Sequence, residues 1–461
     1  MTAAGWRLRL TRRLIRSPAH LAVAGFAGLI GAGAFLLALP AASTGPPLAF
    51  VDALFTATSA GCVTGLAVVD TGTAFSPFGQ VVLLGLIQAG GLGILTLSTL
   101  LLLIAGKRPS PMGRILIQDT FTHGSSRGPS AIIRDVVRLT LVIEAVGALL
   151  LFFGFLGTLD PAEAAYQAVF HSISAFCNAG FSLFPNSFEG YRESVSLNLT
   201  LIGLIIAGGL GFLVLAELGR TPAVGRRRWS RLSLHSKLVL STTGVLLLGS
   251  TLMVLAFEWH NTLAPLSVPG RFLAAFFQGV TTRTAGFNTL PVGEMANATL
   301  FGVILLMFIG ASPGSCGGGI KTTTVASLVI LGMSRFRHRL RTQVFSRTLA
   351  DTSLSKAMSL VLVSLMVIII ATGAILVSEL GEVSHVQSRG KFLELFFEVV
   401  SAFATVGLST GVTGELTVVG KLIITAAMFI GRLGPLVIVV AISRPRQSAP
   451  FYYATERVMV G

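Results

Sequence analysis

Apolar residues in this chain come in long blocks, not in the alternations that mark half-buried strands or surface helices. Nearly unbroken apolar runs of about 20 residues, the length that crosses a hydrocarbon core of roughly 30 Å, lie near 20–40, 79–105, 139–158, 198–218, 237–257, 298–310 continuing at 320–333, 357–378 and 421–442. The pattern predicts eight membrane spans, one of them broken. The first is too long, and its basic flank too extended, for a cleaved signal peptide. Shorter runs such as 52–59 (DALFTATS) and 392–401 (FLELFFEVVS) cannot cross and are expected to dip in from the outside and turn back.

Each short run leads into a similar four-residue sequence: VTGL at 63–66, NAGF at 178–181, TAGF at 284–287 and TVGL at 405–408. Aligning Gly65, Gly180, Gly286 and Gly407 places Phe55, Phe170, Phe276 and Phe397 each ten residues upstream, with a Ser-Ala pair at 59–60, 174–175 and 401–402 in three copies. The glycines are 115, 106 and 121 residues apart, and each interval holds one span, a basic linker and another span. The chain therefore reads as an all-α polytopic membrane protein of four pseudo-repeats, each a span, a pore half-helix, a glycine loop and a span. Their bounds are 1–105, 106–218, 219–333 and 334–442, with a tail at 443–461.

Irregular backbone survives at membrane depth only where it is buried in protein or lines a watery cavity. Four such loops can surround one axis, each half-helix aiming the negative end of its dipole there. The residues that can present backbone carbonyls to that axis are Val63, Thr64 and Gly65; Asn178, Ala179 and Gly180; Thr284, Ala285 and Gly286; and Thr405, Val406 and Gly407. Rings of carbonyls replace the water shell of a bare alkali cation, and glycine permits the backbone angles such a ribbon needs. A tight turn would explain one such loop, but not four in register.

A second motif follows the loops. Residues 88–94 read QAGGLGI and 206–212 IAGGLGF, where small residues let helices approach closely; the third copy opens FIGASPGS at 308–315 and the fourth reads FIGRLGPL at 429–436. In the fourth, Arg432 replaces the second glycine, a charge that costs at least about 2.5 kcal/mol in a span unless it faces protein or water. In the third, Gly310 to Thr322 cannot continue as a helix, because Pro313 and the five glycines Gly310, Gly314, Gly317, Gly318 and Gly319 break it. A broken helix midway along a pore, with Arg432 at the equivalent depth of the neighbouring repeat, predicts a gate. There Arg432 is placed to hydrogen-bond free carbonyls, and Lys321 sits at the cytoplasmic end, either snorkelling to the interface or taking part in the gate. GGGIKTT is not a phosphate-binding loop: Ile320 separates glycine from Lys321 where that motif needs them adjacent, and no soluble strand precedes it.

Composition fits this solvent: 52% of the 461 residues are hydrophobic, 11% are charged and the mean hydropathy is +0.81. With the N-terminus cytoplasmic, the inside pieces 1–19, 106–138, 219–237, 334–356 and the tail carry 26 of the 34 Lys and Arg, and both termini lie inside. The net charge of +15 is then a topological signal, with basic runs such as Arg226 to Arg228 anchoring the topology at membrane lipids and no nucleic acid implied. Intramembrane charge reads as nearly limited to Lys321 and Arg432. Cys62, Cys177 and Cys316 have no metal-like spacing and read as packing residues; no convergent nucleophile, base or metal cluster suggests an enzyme. An alternating-access carrier would show two related halves with ionisable midplane residues instead of four repeats in one orientation.

Near the loops, Asp52 is placed to cap the first half-helix. Arg283 is expected to brace the third loop against a neighbouring acid near the outer mouth, and Asn178 either donates to loop backbone or faces the ion. Glu189, Glu193, Glu294 and Glu415 form an acidic outer rim.

LALP at 37–40, TSAGCVTGL at 58–66, VVDTGTAFSPFGQ at 68–80, FHSISAFCNAGFS at 170–182, TTRTAGFNT at 281–289, GASPGSCGGGIKTT at 310–323, SAFATVGLST at 401–410 and the closing VMVG together cover nearly the whole chain. In these it resembles the Trk/Ktr/HKT superfamily of potassium transporters, most closely the membrane subunit of the bacterial Ktr type (KtrB-like). The resemblance implies K⁺-selective uptake across the plasma (inner) membrane, with K⁺ held at filter carbonyls around Gly65, Gly180, Gly286 and Gly407. It also implies that residues 310–322 form an intramembrane gating loop with Arg432 as its positive partner. Sodium-favouring plant relatives carry serine at the first filter position, so Gly65 argues for potassium, and the single span before the first loop favours Ktr over Trk. A Trk-type or Na⁺-permeable relative is the alternative. The resemblance further implies a homodimer seated on a cytosolic ring of RCK-type (KtrA-like) nucleotide-binding subunits. ATP or ADP would bind to that partner, no cofactor is implied in this chain, and Na⁺ is left open as an activator.

Overall fold

The computed structural model of the chain describes residues 18–92, 129–220 and 226–434. The N-terminal basic segment, the remainder of the second predicted span, most of the first cytoplasmic linker, the end of the eighth span and the tail lie outside the described residues. The helices are α1 (Pro18–Leu37), α2 (Phe50–Gly61), α3 (Thr71–Ala74), α4 (Pro77–Gly91), α5 (Pro129–Phe155), α6 (Pro161–Phe176), α7 (Val195–Leu210), α8 (Phe212–Arg220), α9 (Arg226–Arg231), α10 (Leu234–Glu258), α11 (Val268–Thr281), α12 (Asn297–Phe308), α13 (Thr322–Phe336), α14 (Asp351–Leu380), α15 (Lys391–Ala404) and α16 (Val418–Leu433). A two-stranded hairpin, β1 (Gln343–Val344) and β2 (Arg347–Thr348), turns through Phe345 and Ser346 in the predicted third cytoplasmic linker.

Among the described residues, three helices are long and apolar enough to cross a membrane: α5 from Ile133, α10 and α14. They turn side chains such as Leu149, Phe153, Leu252, Ile369 and Val377 outward, as helices facing an apolar solvent do. The short helices α2, α6, α11 and α15 sit inside this wall, with Phe55, Phe170, Phe277 and Phe397 fully or almost fully buried. Hydroxyl caps start two of the four helices that follow the loops: Ser76 accepts from Gly79 N at α4 and Thr417 from Gly420 N at α16, as Ser267 does from Gly270 N at the short helix α11.

The fourth predicted span, 198–218, is not one helix. It bends by 101° at Gly211, whose φ is +91°. A Cβ there would lie 2.6 Å from Pro313 O, so the bend occurs where the intramembrane segment docks against it. The helices after the other loops also stop at this motif, at Gly91, Phe308 and Leu433. The break predicted for the third copy alone is thus a feature of the second as well, because each small-residue motif must make room for a neighbouring backbone.

Candidate functional site: four glycine loops and an intramembrane loop

Each short inner helix delivers its chain to a loop with the same two left-handed residues. Val63, Asn178, Thr284 and Thr405 have φ of +57°, +58°, +69° and +52°, and the glycines two positions on have +99°, +70°, +82° and +89°. Left-handed backbone is costly for non-glycine residues, so four such pairs mark a conformation enforced by tertiary structure. The loops close into a ring. A Cβ on Gly65 would meet Ala179 O at 2.6 Å, one on Gly180 would meet Ala285 O at 2.8 Å, one on Gly286 would meet Val406 O at 2.6 Å, and one on Gly407 would strike Thr64 O. Loop one therefore touches two, two touches three, three touches four and four touches one. All twelve predicted loop residues are brought together here.

Hydroxyls on the inner helices hold the loops from behind. Ser59 Oγ accepts from Gly65 N and Ser401 Oγ from Gly407 N, both at 3.1 Å. Ser174 Oγ instead donates to Phe181 O at 2.8 Å, and Thr281 Oγ to Phe287 O at 2.5 Å. The third loop is one residue short. Thr64, Ala179 and Val406 N bond to carbonyls five residues back, whereas Ala285 N bonds to Thr281 O, four back. Thr281 is thus the counterpart of the three serines, and Phe277, not the predicted Phe276, is the counterpart of Phe55, Phe170 and Phe397. Phe276 is only half-buried.

Beneath the ring, residues 309–321 form an irregular segment stitched to its surroundings by backbone hydrogen bonds. Ser312 N donates to Gly209 O at 3.1 Å, Cys316 N to Gly208 O at 3.1 Å and Gly310 N to Ile320 O at 2.9 Å; Phe212 N donates to Gly314 O at 3.0 Å. It touches the ring directly: Gly318 N donates to Thr405 Oγ1 at 3.0 Å. Glycine is required at Gly317 and Gly318, where a Cβ would strike the hydroxyls of Thr284 and Thr405. Arg432, 8% exposed, donates to Cys316 O in this segment and to Gly90 O at the end of α4. Lys321 Nζ folds back to Gly317 O at 2.7 Å, so it does not snorkel away. The predicted gate residues are therefore assembled in one place under the ring.

The family follows from comparison with known proteins. Residues 25–450 match the TrkH family model, described as cation transport protein. The chain belongs to the TrkH family of cation transport proteins. Among its relatives, the Ktr system potassium uptake protein B of Bacillus subtilis is 39% identical over 94% of each chain. The potassium/sodium uptake protein NtpJ of Enterococcus hirae is 36% identical over 98% of this chain and 99% of its own. The crystal structure of the potassium transporter TrkH from Vibrio parahaemolyticus has the same fold, with a TM-score of 0.72 at 18% identity, covering 91% of this chain and 83% of that one. Family membership makes this a multi-pass membrane protein of cation transport and not an enzyme.

Several expectations around the ring are corrected. Asp52 caps nothing; its carboxylate pairs with Lys421 Nζ at 2.7 Å, joining the first inner helix to α16. Arg283 is buried and has no acidic partner among the described residues, its Nε left without any hydrogen bond. The Asn178 amide, turned to satisfy its neighbours, donates to Ala175 O and Ile205 O at 3.1 and 3.2 Å, behind the loop. Of the rim acids, Glu189 accepts from Asn288 Nδ2 at 2.7 Å, Glu193 from Ser267 N at 3.1 Å, and Glu415 pairs with Lys391 at 3.6 Å. They tie outer loops together.

Three buried acids escaped the sequence reading: Glu144, Glu398 and Glu258, the last at the end of α10 and accepting from Thr262 Oγ1 at 2.8 Å and Ala296 N at 2.9 Å. Glu144 on α5 is 5% exposed, accepting from Gln88 Nε2 at 3.3 Å with Cys177 Sγ at 3.8 Å from its other oxygen. Glu398 on α15, immediately after Phe397, accepts from Thr413 Oγ1. Glu144 is the lone carboxylate of the apolar run 139–158, a visible signal, whereas Glu398 follows Glu394 by four residues on the same short helix. Within the described residues no group of three His, Cys, Asp or Glu is arranged for a metal, and the three cysteines are free and buried.

Proposed function

We propose that this chain takes up K⁺ across the cell membrane through the ring of Gly65, Gly180, Gly286 and Gly407, with K⁺ held by the backbone carbonyls of the twelve loop residues. The observation that carries this reading is the closed contact of the four loops in cyclic order, each built on the same pair of left-handed residues. Such a ring can offer an ion several oxygens at once in place of water. The potassium uptake named in the Bacillus subtilis relative supports the choice of ion.

Residues 310–322 are proposed as the gate beneath it, with Arg432 as the latch, because this guanidinium bridges the segment to α4. Orientation follows the basic residues, with the termini inside. A homodimer on a ring of nucleotide-binding RCK-type subunits, switched by ATP or ADP, is the regulatory form this reading implies; the word "system" in the relatives' names is consistent with a partner. The similarity to a potassium/sodium uptake protein keeps Na⁺ permeation as the second reading.

The test is uptake of K⁺, Rb⁺ and Na⁺ by vesicles containing the purified chain, for the wild type and Gly65→Ser. K⁺ and Rb⁺ flux that excludes Na⁺, with exclusion lost in the variant, supports the first reading. Comparable Na⁺ flux in the wild type supports the second. Selectivity indifferent to Gly65 overturns the assignment of the ring.

A further inference from the structure

The four hydroxyls behind the ring do not do the same thing. In loops one and four, Ser59 and Ser401 accept from the glycine N–H groups of Gly65 and Gly407. In loops two and three, Ser174 and Thr281 donate to the carbonyls of Phe181 and Phe287, the residues just after the glycines. A carbonyl drawn toward a hydroxyl on its own buried inner helix points behind the loop, away from the axis. The corresponding carbonyls of Leu66 and Leu408 have no such donor among the described residues.

The split follows neighbouring pairs around the ring. Loops two and three are also joined on the outer side, where Phe188 N donates to Asn288 O at 3.0 Å, Asn288 Nδ2 donates to Glu189 at 2.7 Å, and the rings of Phe188 and Phe287 meet at 5.6 Å. Loops four and one are joined by the Lys421–Asp52 pair at 2.7 Å. The outer end of the ring is therefore built from two unlike halves, although the pair of left-handed residues beneath it repeats in all four loops.

We propose that Ser174 and Thr281 are positioning residues that remove two of the four outermost carbonyls from the ion path, so that a cation enters half-coordinated by protein and half by water. Ser59 and Ser401 hold the glycine backbones and thereby the deeper carbonyls that complete dehydration. Selection then happens below the entrance, and the entrance keeps an ion weakly enough to pass it on, which conduction through several sites requires. The inference rests on the ring being the ion path.

The experiment compares Ser174→Ala with Thr281→Val, and Ser59→Ala with Ser401→Ala, in vesicles of the purified full chain. It reads the K⁺ concentration for half-maximal uptake, the maximal rate and the Na⁺/K⁺ ratio, beside Gly65→Ser. Freeing Phe181 or Phe287 O should lower the half-maximal K⁺ concentration by about fivefold, the factor that a hydrogen bond of about 1 kcal/mol represents, while Na⁺ stays excluded. Loss of Ser59 or Ser401 should instead relax Na⁺ exclusion. Thr281→Ser and Ser174→Thr, which keep the hydroxyl, should behave as wild type and separate this role from folding. The same phenotype in both pairs, or unchanged half-saturation in Ser174→Ala and Thr281→Val with Gly65→Ser impaired in selectivity, overturns the split while leaving the ring intact. Unchanged selectivity in Gly65→Ser removes the ring reading, and the split with it.

Discussion

Alanine at the ring glycines should cost K⁺ over Na⁺ discrimination, and the geometry grades the loss. At Gly65 a side chain suffers twice. The φ of +99° is a conformation that costs an L residue about 1–2 kcal/mol. The new Cβ would also lie 2.6 Å from Ala179 O, where real Cβ contacts essentially never fall below 3.0 Å, so the neighbouring carbonyl must retreat by about 0.4 Å or more. Gly286 has the same 2.6 Å approach to Val406 O, Gly180 a milder 2.8 Å to Ala285 O, and Gly407 the closest of all to Thr64 O. Displacing one carbonyl of a ring weakens its competition with the ion's water shell; about 1.4 kcal/mol lost from that competition is tenfold in selectivity. The expected loss is about tenfold or more for Gly65→Ala, Gly286→Ala and Gly407→Ala, and less for Gly180→Ala. Gly314→Ala separates strain from collision, since Gly314 has φ +71° but nothing within 4 Å; Gly85→Ala has neither. Both should keep discrimination. The assay is Rb⁺ uptake into vesicles in competition with Na⁺, on protein that elutes as wild type in size-exclusion chromatography. Folded Gly65→Ala and Gly286→Ala proteins with discrimination within about twofold of wild type would refute the reasoning.

Arg432→Ala removes a charge-assisted contact to Cys316 O of the kind worth about 1.5–3 kcal/mol, and should raise initial uptake about tenfold or more; unchanged flux there and in a deletion within 310–319 would count against the gate. A double-mutant cycle of Asp52→Asn and Lys421→Gln, read by thermal unfolding, should give a coupling of about 1 kcal/mol, because the pair is only 22% and 15% exposed; zero coupling would make it incidental. Burial holds the half-exposed Glu189 carboxyl above its usual 4.5 despite the hydrogen bond from Asn288. Its protonated form therefore stabilises the fold below that value, and the contribution is lost as pH rises through the raised pKa. Glu189→Gln should flatten this slope in a melting series from pH 4 to pH 8, and an unaltered slope would show that other groups set it.

The membrane character, the four loops and the break in the sixth span were legible in the chain because each is written locally. A block of apolar residues long enough to cross, a glycine in fixed register and a proline among glycines act through their own backbone and solvent. Arg432 was legible too, since an isolated charge in a span demands a polar partner, here Cys316 O and Gly90 O. What only the tertiary structure decided depends on two distant segments meeting. The 101° bend at Gly211 exists because Pro313 and Gly314 dock there. Asp52 turned from a helix cap into the partner of Lys421, 369 residues away, and Arg283 found no acid among the described residues. The one-residue shift that makes Phe277 and Thr281 the true counterparts in the third copy is invisible in an alignment that sees Phe at both 276 and 277. It appears only in which carbonyl each loop N–H reaches. The order in which the loops touch is likewise a property of the closed ring, because a repeat states what each unit is and leaves to packing which unit lies beside it.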